Sequence, residues 1–277
     1  MKKTGSKAVT SPVQKLHPAI QELHPARLLD LCKTSRLART VIVHDDAGST
    51  NEIAMAAAAN GAPEGLLVIA EEQTFGRGRK GRRWISSRGK SLTCSLLLRP
   101  GRNEEGLTAI LALAVVNALG EFASGIGIKW PNDIFCRGKK LGGILAESKN
   151  ASVVMGLGLN INESADDFAA EIAGEAISLR MAARKQFDRG FVLCRILEAF
   201  ETLYDRFQRE GFASFRVAVQ QELLFIGKLV LVESGGGSFV GNMIGITNEG
   251  YLCIDIDGAE RVFASGDLTL RERPQRR

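Results

Sequence analysis

The stretch IGIKWPNDIFCRGKKLGGILAES (Ile126–Ser148) decides the fold. The apolar runs IGIKW, IFC and LGGILAES are separated only by Pro131–Asn132–Asp133 and by the tight turn RGKK. Links this short leave no room for a crossover helix, so neighbouring strands must run antiparallel. The spacing predicts consecutive hairpins rather than βαβ units, and ASVVMGLGLNI (Ala151–Ile161) adds a further apolar strand.

Working outward, TVIVH (from Thr40), LLVIAEEQ (Leu66–Gln73) and SLTCSLLLR (Ser91–Arg99) also read as strands. Ser49 or Thr50 is placed to N-cap a helix over NEIAMAAAAN that Gly61 ends. Further helices are predicted from Glu104 to about Phe122 and over 188–211, the second amphipathic and stopped by Gly211. Past Phe225 the character changes to short strands with Gly-rich or polar turns, as in a small β-barrel module. The expected organisation is an N-terminal extension over 1–40, a main domain over 41–224 and a small domain over 225–277. Within the extension, residues 1–15 are polar, basic and expected to be disordered, and Pro18–Lys33 suggests a helix interrupted near Pro25.

Of 277 residues, 45% are hydrophobic and 24% charged, enough for one sizeable core. No apolar run reaches the ~18 residues of a membrane span, and MKKTGSKAVT lacks a signal peptide's apolar stretch. A cytoplasmic protein without membrane association is therefore expected. The five cysteines (Cys32, Cys94, Cys136, Cys194, Cys253) form no C-x-x-C pair and are expected to be reduced, buried thiols. The three histidines, His17, His24 and His44, precede the main body. With no G-x-S-x-G and no H-E-x-x-H, the chemistry must run on Lys, Arg, Asp, Asn and backbone groups, and no protein metal site is expected.

The net charge is +5, but Gln73–Asn103 alone carries nine cations and no acid. Such a concentrated field attracts a polyanion, either nucleotide phosphate or nucleic acid. Its centre is GRGRKGRRW (Gly76–Trp84), where frequent glycines let the backbone adopt positive φ and free N–H groups to converge on an anion, and guanidiniums add bidentate contacts. Gly76, Gly78 and Gly81 match G-x-G-x-x-G formally, but RRWISSRGKS follows without helical periodicity, which excludes the dinucleotide reading. Arg82–Arg83 stand where a Walker loop needs Lys–Ser/Thr. A nucleic-acid-binding module stays open as an alternative from this segment alone.

TFGRGRKGRRW, then KWPND about 45 residues later, then KKLGGILAE and GLGLNIN, taken in that order, closely resemble the biotin protein ligase family. With Ser49–Asn51 and the terminal β-module, the resemblance covers residues 41–272. It implies an α+β fold: a mixed sheet flanked by helices, related to class II aminoacyl-tRNA synthetases, with an SH3-like C-terminal barrel. It also implies ATP-dependent ligation in two steps. Biotin and ATP give biotinyl-5′-adenylate, then a lysine of a biotin carboxyl carrier protein or domain attacks it. Mg²⁺ is expected with the ATP, and a homodimer is left open. A DNA partner is not expected, because the leading residues are short for a winged helix. Lipoate–protein ligase, on the same scaffold, is the alternative enzyme.

By this resemblance, Ser49, Thr50 and Asn51 would hydrogen-bond the biotin ureido end, though they also suit a plain helix N-cap. Gln73 would lie beside biotin. The loop beginning at Gly76 would fold over the adenylate, with Arg77 and Arg79 on the carboxylate and phosphate and Trp84 by the adenine. Asn132 would meet the nucleotide, and Asp133 would help receive the incoming lysine unless it is only an Asx-turn residue. Lys140 would bridge the biotin carboxylate and α-phosphate, with Leu141–Gly142–Gly143–Ile144 fixing the register against Lys139. Gly142 and Gly143 would let backbone approach the ligand, and Gly156, Gly158 and Asn160 would complete the pocket floor and ribose contacts. Gly48 stands where many members carry an acid before S-T-N.

Overall fold

A computed structural model of the chain describes residues 22–101, 104–234, 237–264 and 269–272. The predicted hairpins form as β4 (Ile126–Lys129), β5 (Asp133–Cys136), β6 (Lys139–Lys149) and β7 (Ser152–Asn160), all antiparallel neighbours. They complete a seven-stranded sheet with β1 (Thr40–Ala47), β2 (Leu66–Gln73) and β3 (Ser91–Leu98), in the order β1-β2-β3-β7-β6-β5-β4. Only β1 and β2 run parallel, and the helix α2 (Thr50–Ala59) supplies the crossover between them. The sheet is mixed, as expected.

Helices cover both faces. α2 lays Ala54 against Leu66, Val68, Leu97 and Val154 on one face. On the other lies α3 (Leu107–Gly120), which is apolar all round and buries ten of its fourteen residues, as a central helix must. Over it packs α5 (Arg189–Glu210), whose buried Val192, Leu193, Ile196, Leu197, Phe200, Tyr204 and Phe207 make one apolar stripe. Asp188 caps α5 by accepting from the Phe191 N–H, and Gly211 ends it at φ 72°. Short α4 (Leu179–Ala183) and α6 (Arg216–Glu222) flank it in sequence.

The leading segment is integrated with this layer. Residues 1–21, including the stretch expected to be disordered and the start of the predicted helix, lie outside the described residues. From Leu23 onward the segment is core: Leu23, Leu28 and Leu37 are buried and α1 (Pro25–Leu31) packs on α5. The Glu201 carboxylate accepts backbone N–H groups from Ser35, Arg36 and Leu37. Burial pushes its pKa up, but these donors outweigh that and leave it below the ordinary glutamate value. The expectation of five free thiols is corrected here. Cys32 and Cys194 form a disulfide, their Cα atoms 4.8 Å apart, because α1 lies across α5. Cys94, Cys136 and Cys253 are free and buried.

One ion pair sits fully inside. Arg189, at the start of α5, is 0% exposed and grips the equally buried Glu71 of β2 through both guanidinium nitrogens, at 2.9 and 2.8 Å. Glu71 also accepts from Gly89 N, and Arg189 donates to Ser91 O. The pair thereby anchors the end of the glycine–arginine segment where it enters β3.

Residues beyond Phe225 form an antiparallel five-stranded sheet: β8 (Leu229–Ser234), β9 (Gly237–Ile246), β10 (Leu252–Ile256), β11 (Ala259–Phe263) and β12 (Thr269–Glu272). It is joined to the seven-stranded sheet at KWPND, where the Trp130 indole donates to Gly250 O at 3.0 Å. Among the described residues no helix is long and apolar enough to cross a membrane.

Candidate active site

One cavity of about 770 Å³ opens along the face of the sheet at β7, β6 and β3. It gathers fourteen of the sixteen candidate residues, all but Gly76 and Gly142: Ser49, Thr50, Asn51, Gln73, Arg77, Arg79, Trp84, Asn132, Asp133, Lys140, Gly143, Gly156, Gly158 and Asn160. Gly76 does not line it. It sits at the loop root, where a Cβ would come within 2.6 Å of Trp84 O, and its carbonyl accepts the Trp84 N–H.

At one end, α2 begins with residues 49–51 pointing at the sheet. Ser49 takes the N-cap position, yet its side chain makes no capping bond. Thr50 instead donates to Gln73 Oε1 from both its N–H (2.8 Å) and its hydroxyl (3.1 Å). Ser95 bonds Thr50 Oγ1 at 2.7 Å and Asn51 Oδ1 at 2.6 Å. The Asn51 amide donates to Glu147 at 2.6 Å. This is a buried, pre-oriented polar network of the kind that fixes the orientation of a small ligand's polar groups.

The floor is β7, and its alternate residues carry the pocket. A Cβ on Gly156 would fall 2.3 Å from Asn51 Oδ1, and one on Gly158 2.5 Å from the Trp84 ring. Glycine at these two positions lets Asn51 and Trp84 lie directly on the sheet. Gly142 has a different role from the one expected: a Cβ there would strike Gly158 O at 2.4 Å, so it serves strand packing rather than ligand approach.

The glycine–arginine loop is a small hairpin, with Arg77 bridged to Arg83 and Gly78 N donating to Arg82 O. Positive φ was expected of its glycines, but only Gly81 (69°) shows it, together with Lys80 (58°). Arg77, Arg79, Arg82 and Arg83 all line the cavity. Arg77 pairs with Glu52 of α2, and Arg79 donates to Asn132 Oδ1 at 3.2 Å. The loop therefore closes over the cavity from the α2 side to the KWPND turn.

Of the two adjacent lysines, Lys140 lines the cavity and Lys139 does not. A β-bulge opposite Ile134–Phe135 leaves Leu141 unpaired, and Lys140 Nζ donates to Asp133 Oδ1 at 2.7 Å. The bare backbone of Gly143 leaves room for this pair; its Cβ would be 3.2 Å from Asp133 Oδ1. Asn132 is pinned by its amide to Ile144 O at 2.8 Å. The Asn160 amide is engaged with Ile177 O at 3.2 Å and Lys140 O at 3.5 Å, so its donors hold the pocket wall.

Sequence reasoning left unassigned both residues that support the cavity from behind Thr50 and Asn51 and one that lines it. Glu147 stood inside the quoted KKLGGILAE without a role, and Ser95 had a signal in the alternation Ser91–Thr93–Ser95 along an apolar strand. Glu163 lines the far end; burial pushes its carboxyl above the ordinary glutamate value, against the Ser91 hydrogen bond. Nearby, Lys90 and then the Ser164 N–H and hydroxyl hold Asp167 down at about 2. The sign is that of a stabilised carboxylate: this anchor is at full strength above the ordinary aspartate range near pH 4 and is lost as pH falls toward about 2. A carbon-detected titration of Asp167 should show that midpoint, and an unshifted one would remove the anchor.

The Biotin/lipoate A/B protein ligase family matches residues 48–161, and the Biotin protein ligase C terminal domain matches residues 225–271. The Bifunctional ligase/repressor BirA of Bacillus subtilis is 38% identical over 248 residues, covering 86% of this chain and 76% of that protein. The Biotin--[acetyl-CoA-carboxylase] ligase of Mycobacterium tuberculosis is 34% identical over 231 residues, 80% of this chain and 85% of that one. Among solved structures, a biotin protein ligase from Aquifex aeolicus in complex with biotin and ATP superposes with a TM-score of 0.77 at 29% identity, covering 85% of this chain and 100% of that one. With its cavity, its arginine hairpin and its C-terminal sheet alike, the chain belongs to the biotin protein ligase family.

Proposed function

We propose that the chain activates biotin with ATP as biotinyl-5′-adenylate and transfers it to a lysine of a biotin carboxyl carrier domain. The observation that carries this is Lys140 Nζ, held by Asp133 in the same cavity as Asn51 and Trp84. An ammonium there offsets repulsion between a carboxylate and an α-phosphate as they meet, and stabilises the charge that builds at phosphorus. The Ser49–Thr50–Asn51 and Gln73 end takes the biotin ring, and the Trp84, Gly158 and Asn160 end takes the nucleotide. Arg77 and Arg79 close over the carboxylate and phosphate, keeping water from a hydrolysable anhydride. Asp133 is then placed to accept a proton or hydrogen bond from the carrier lysine's ammonium once Lys140 turns to the adenylate.

Biotin is favoured over lipoate by the match of the C-terminal module to the biotin-specific family and by the relatives' names. Mg²⁺ would travel on the ATP phosphates. Among the described residues no group of three or more His, Cys, Asp or Glu side chains could hold a metal, so no protein cage is assigned.

The test is transfer itself. Incubated with biotin, ATP and a purified biotin carrier domain, the protein should label one carrier lysine, seen by streptavidin blot and by mass. A carrier that stays unlabelled while its cognate ligase labels it would contradict the assignment. Two variants refine it. Arg77→Ala or Arg79→Ala should release biotinyl-adenylate about tenfold faster, the loss of one charge-assisted hydrogen bond; unchanged release would mean the hairpin is no lid. Gly156→Ala, whose Cβ would displace Asn51, should raise the KM for biotin by about tenfold and spare that for ATP. Equal effects on both substrates would place the Asn51 network elsewhere.

A further inference from the structure

Asn51 is buried in the first turn of α2 and lines the cavity, and the direction of its amide is set from β6 and β3. The amide nitrogen donates to Glu147 Oε2 at 2.6 Å and to Leu145 O at 3.3 Å, so both of its hydrogens are engaged with β6. Oδ1 takes the Ser95 hydroxyl at 2.6 Å. An amide oxygen accepts twice, so one lone pair remains. It belongs to an oxygen lying directly over the cavity floor, 2.3 Å from where a Cβ on Gly156 would stand. A carboxylate only accepts, so Glu147 permits one of the two amide orientations: nitrogen toward β6, oxygen toward Ser95 and the floor. With the amide turned over, two oxygens would face each other at hydrogen-bond distance. Strand alternation puts the carboxyl there. β6 carries Gly143, Leu145 and Glu147 on one face, opposite Gly158, Gly156 and Val154 of β7, and Val154 packs with Ala54 of α2. Glu147 itself is not among the residues lining the cavity.

Resting on the reading of this end as the biotin end, we propose that Glu147 is a positioning residue for biotin binding. It locks the Asn51 amide so that Oδ1 is presented to the cavity as an acceptor for a ureido N–H. Glu147 touches no substrate and acts through Asn51. Through Ser95, 2.7 Å from Thr50 Oγ1, the same orientation extends to the Thr50–Gln73 pair. An acceptor fixed before the ligand arrives loses no conformational freedom on binding, which is the gain from preorganisation.

The experiment measures biotin affinity by calorimetry without ATP, and the KM for biotin and for ATP by pyrophosphate exchange. Glu147→Ala should weaken biotin binding about tenfold and leave the KM for ATP unchanged. Glu147→Gln, whose side-chain oxygen can still accept from the Asn51 amide, should restore most of that affinity. Asn51→Ala should weaken biotin as well, and adding Glu147→Ala to it should cost nothing more, because no amide is left to orient. Glu147→Asp keeps the charge but withdraws it from the amide. It should behave like the alanine variant, and it decides the matter if that variant fails to fold. Wild-type biotin affinity in folded Glu147→Ala or Glu147→Asp would overturn the proposal. So would additive losses in the double variant, or a KM for ATP that rises as much as that for biotin. No biotin binding by the wild type would instead remove the ligase reading, and this inference with it.

Discussion

Lys140→Ala will abolish adenylate formation, lowering biotin-dependent pyrophosphate exchange by about 100- to 1000-fold, the usual cost of removing a preorganised electrostatic stabiliser. The fold should survive. Lys140 is partly exposed, and its one side-chain ion pair is to Asp133, itself on the cavity. Half-exposed ion pairs contribute little to stability, so the melting temperature should move by only a few degrees. Lys139→Ala is the control and should leave exchange near wild type, because Lys139 does not line the cavity. A Lys140→Ala protein with normal turnover would remove the central cation from the mechanism. Equal losses in both variants would point to nonspecific charge.

The largest effect on stability is expected at Arg189→Ala. Glu71 is 0% exposed and would keep its Gly89 N–H but lose both guanidinium contacts. Removing one partner of a buried pair costs about 3–5 kcal/mol, because the other charge is left uncompensated. For a domain of this size that lowers the melting temperature on the order of 10 °C. Replacing both partners, Arg189→Met with Glu71→Leu, should recover part of the loss, since an apolar pair carries no desolvation debt. A calorimetric scan of the three proteins checks this. A single variant that melts with the wild type would show that the pair is not shut off from water.

How legible these features were depends on whether their cause is local. The hairpins of Ile126–Ser148 follow from link length and the end of α5 from Gly211, and both could be read directly. The resemblance brought together residues as distant as Asn51, Trp84 and Lys140, and one cavity holds them. Contacts across the fold were not legible. Cys32 and Cys194 lie 162 residues apart and pair only because α1 crosses α5, so their spacing gave no sign. Arg189, in the first turn of an amphipathic helix, reads as a solvated cation until β2 places Glu71 beneath it. The glycines taught a similar lesson. Composition suggested positive φ in the loop, whereas Gly76 is required by the approach of Trp84 O and Gly158 by the Trp84 ring. Glu163 lies one residue past the last recognisable block, and only its place in the cavity wall singles it out.

The most direct measurement is exchange of labelled pyrophosphate into ATP by the purified protein, with biotin, lipoate or no acid added. The account predicts exchange with biotin alone, which would fix the adenylation step and its substrate together. Exchange with lipoate instead, or none from folded protein with either acid, would contradict it.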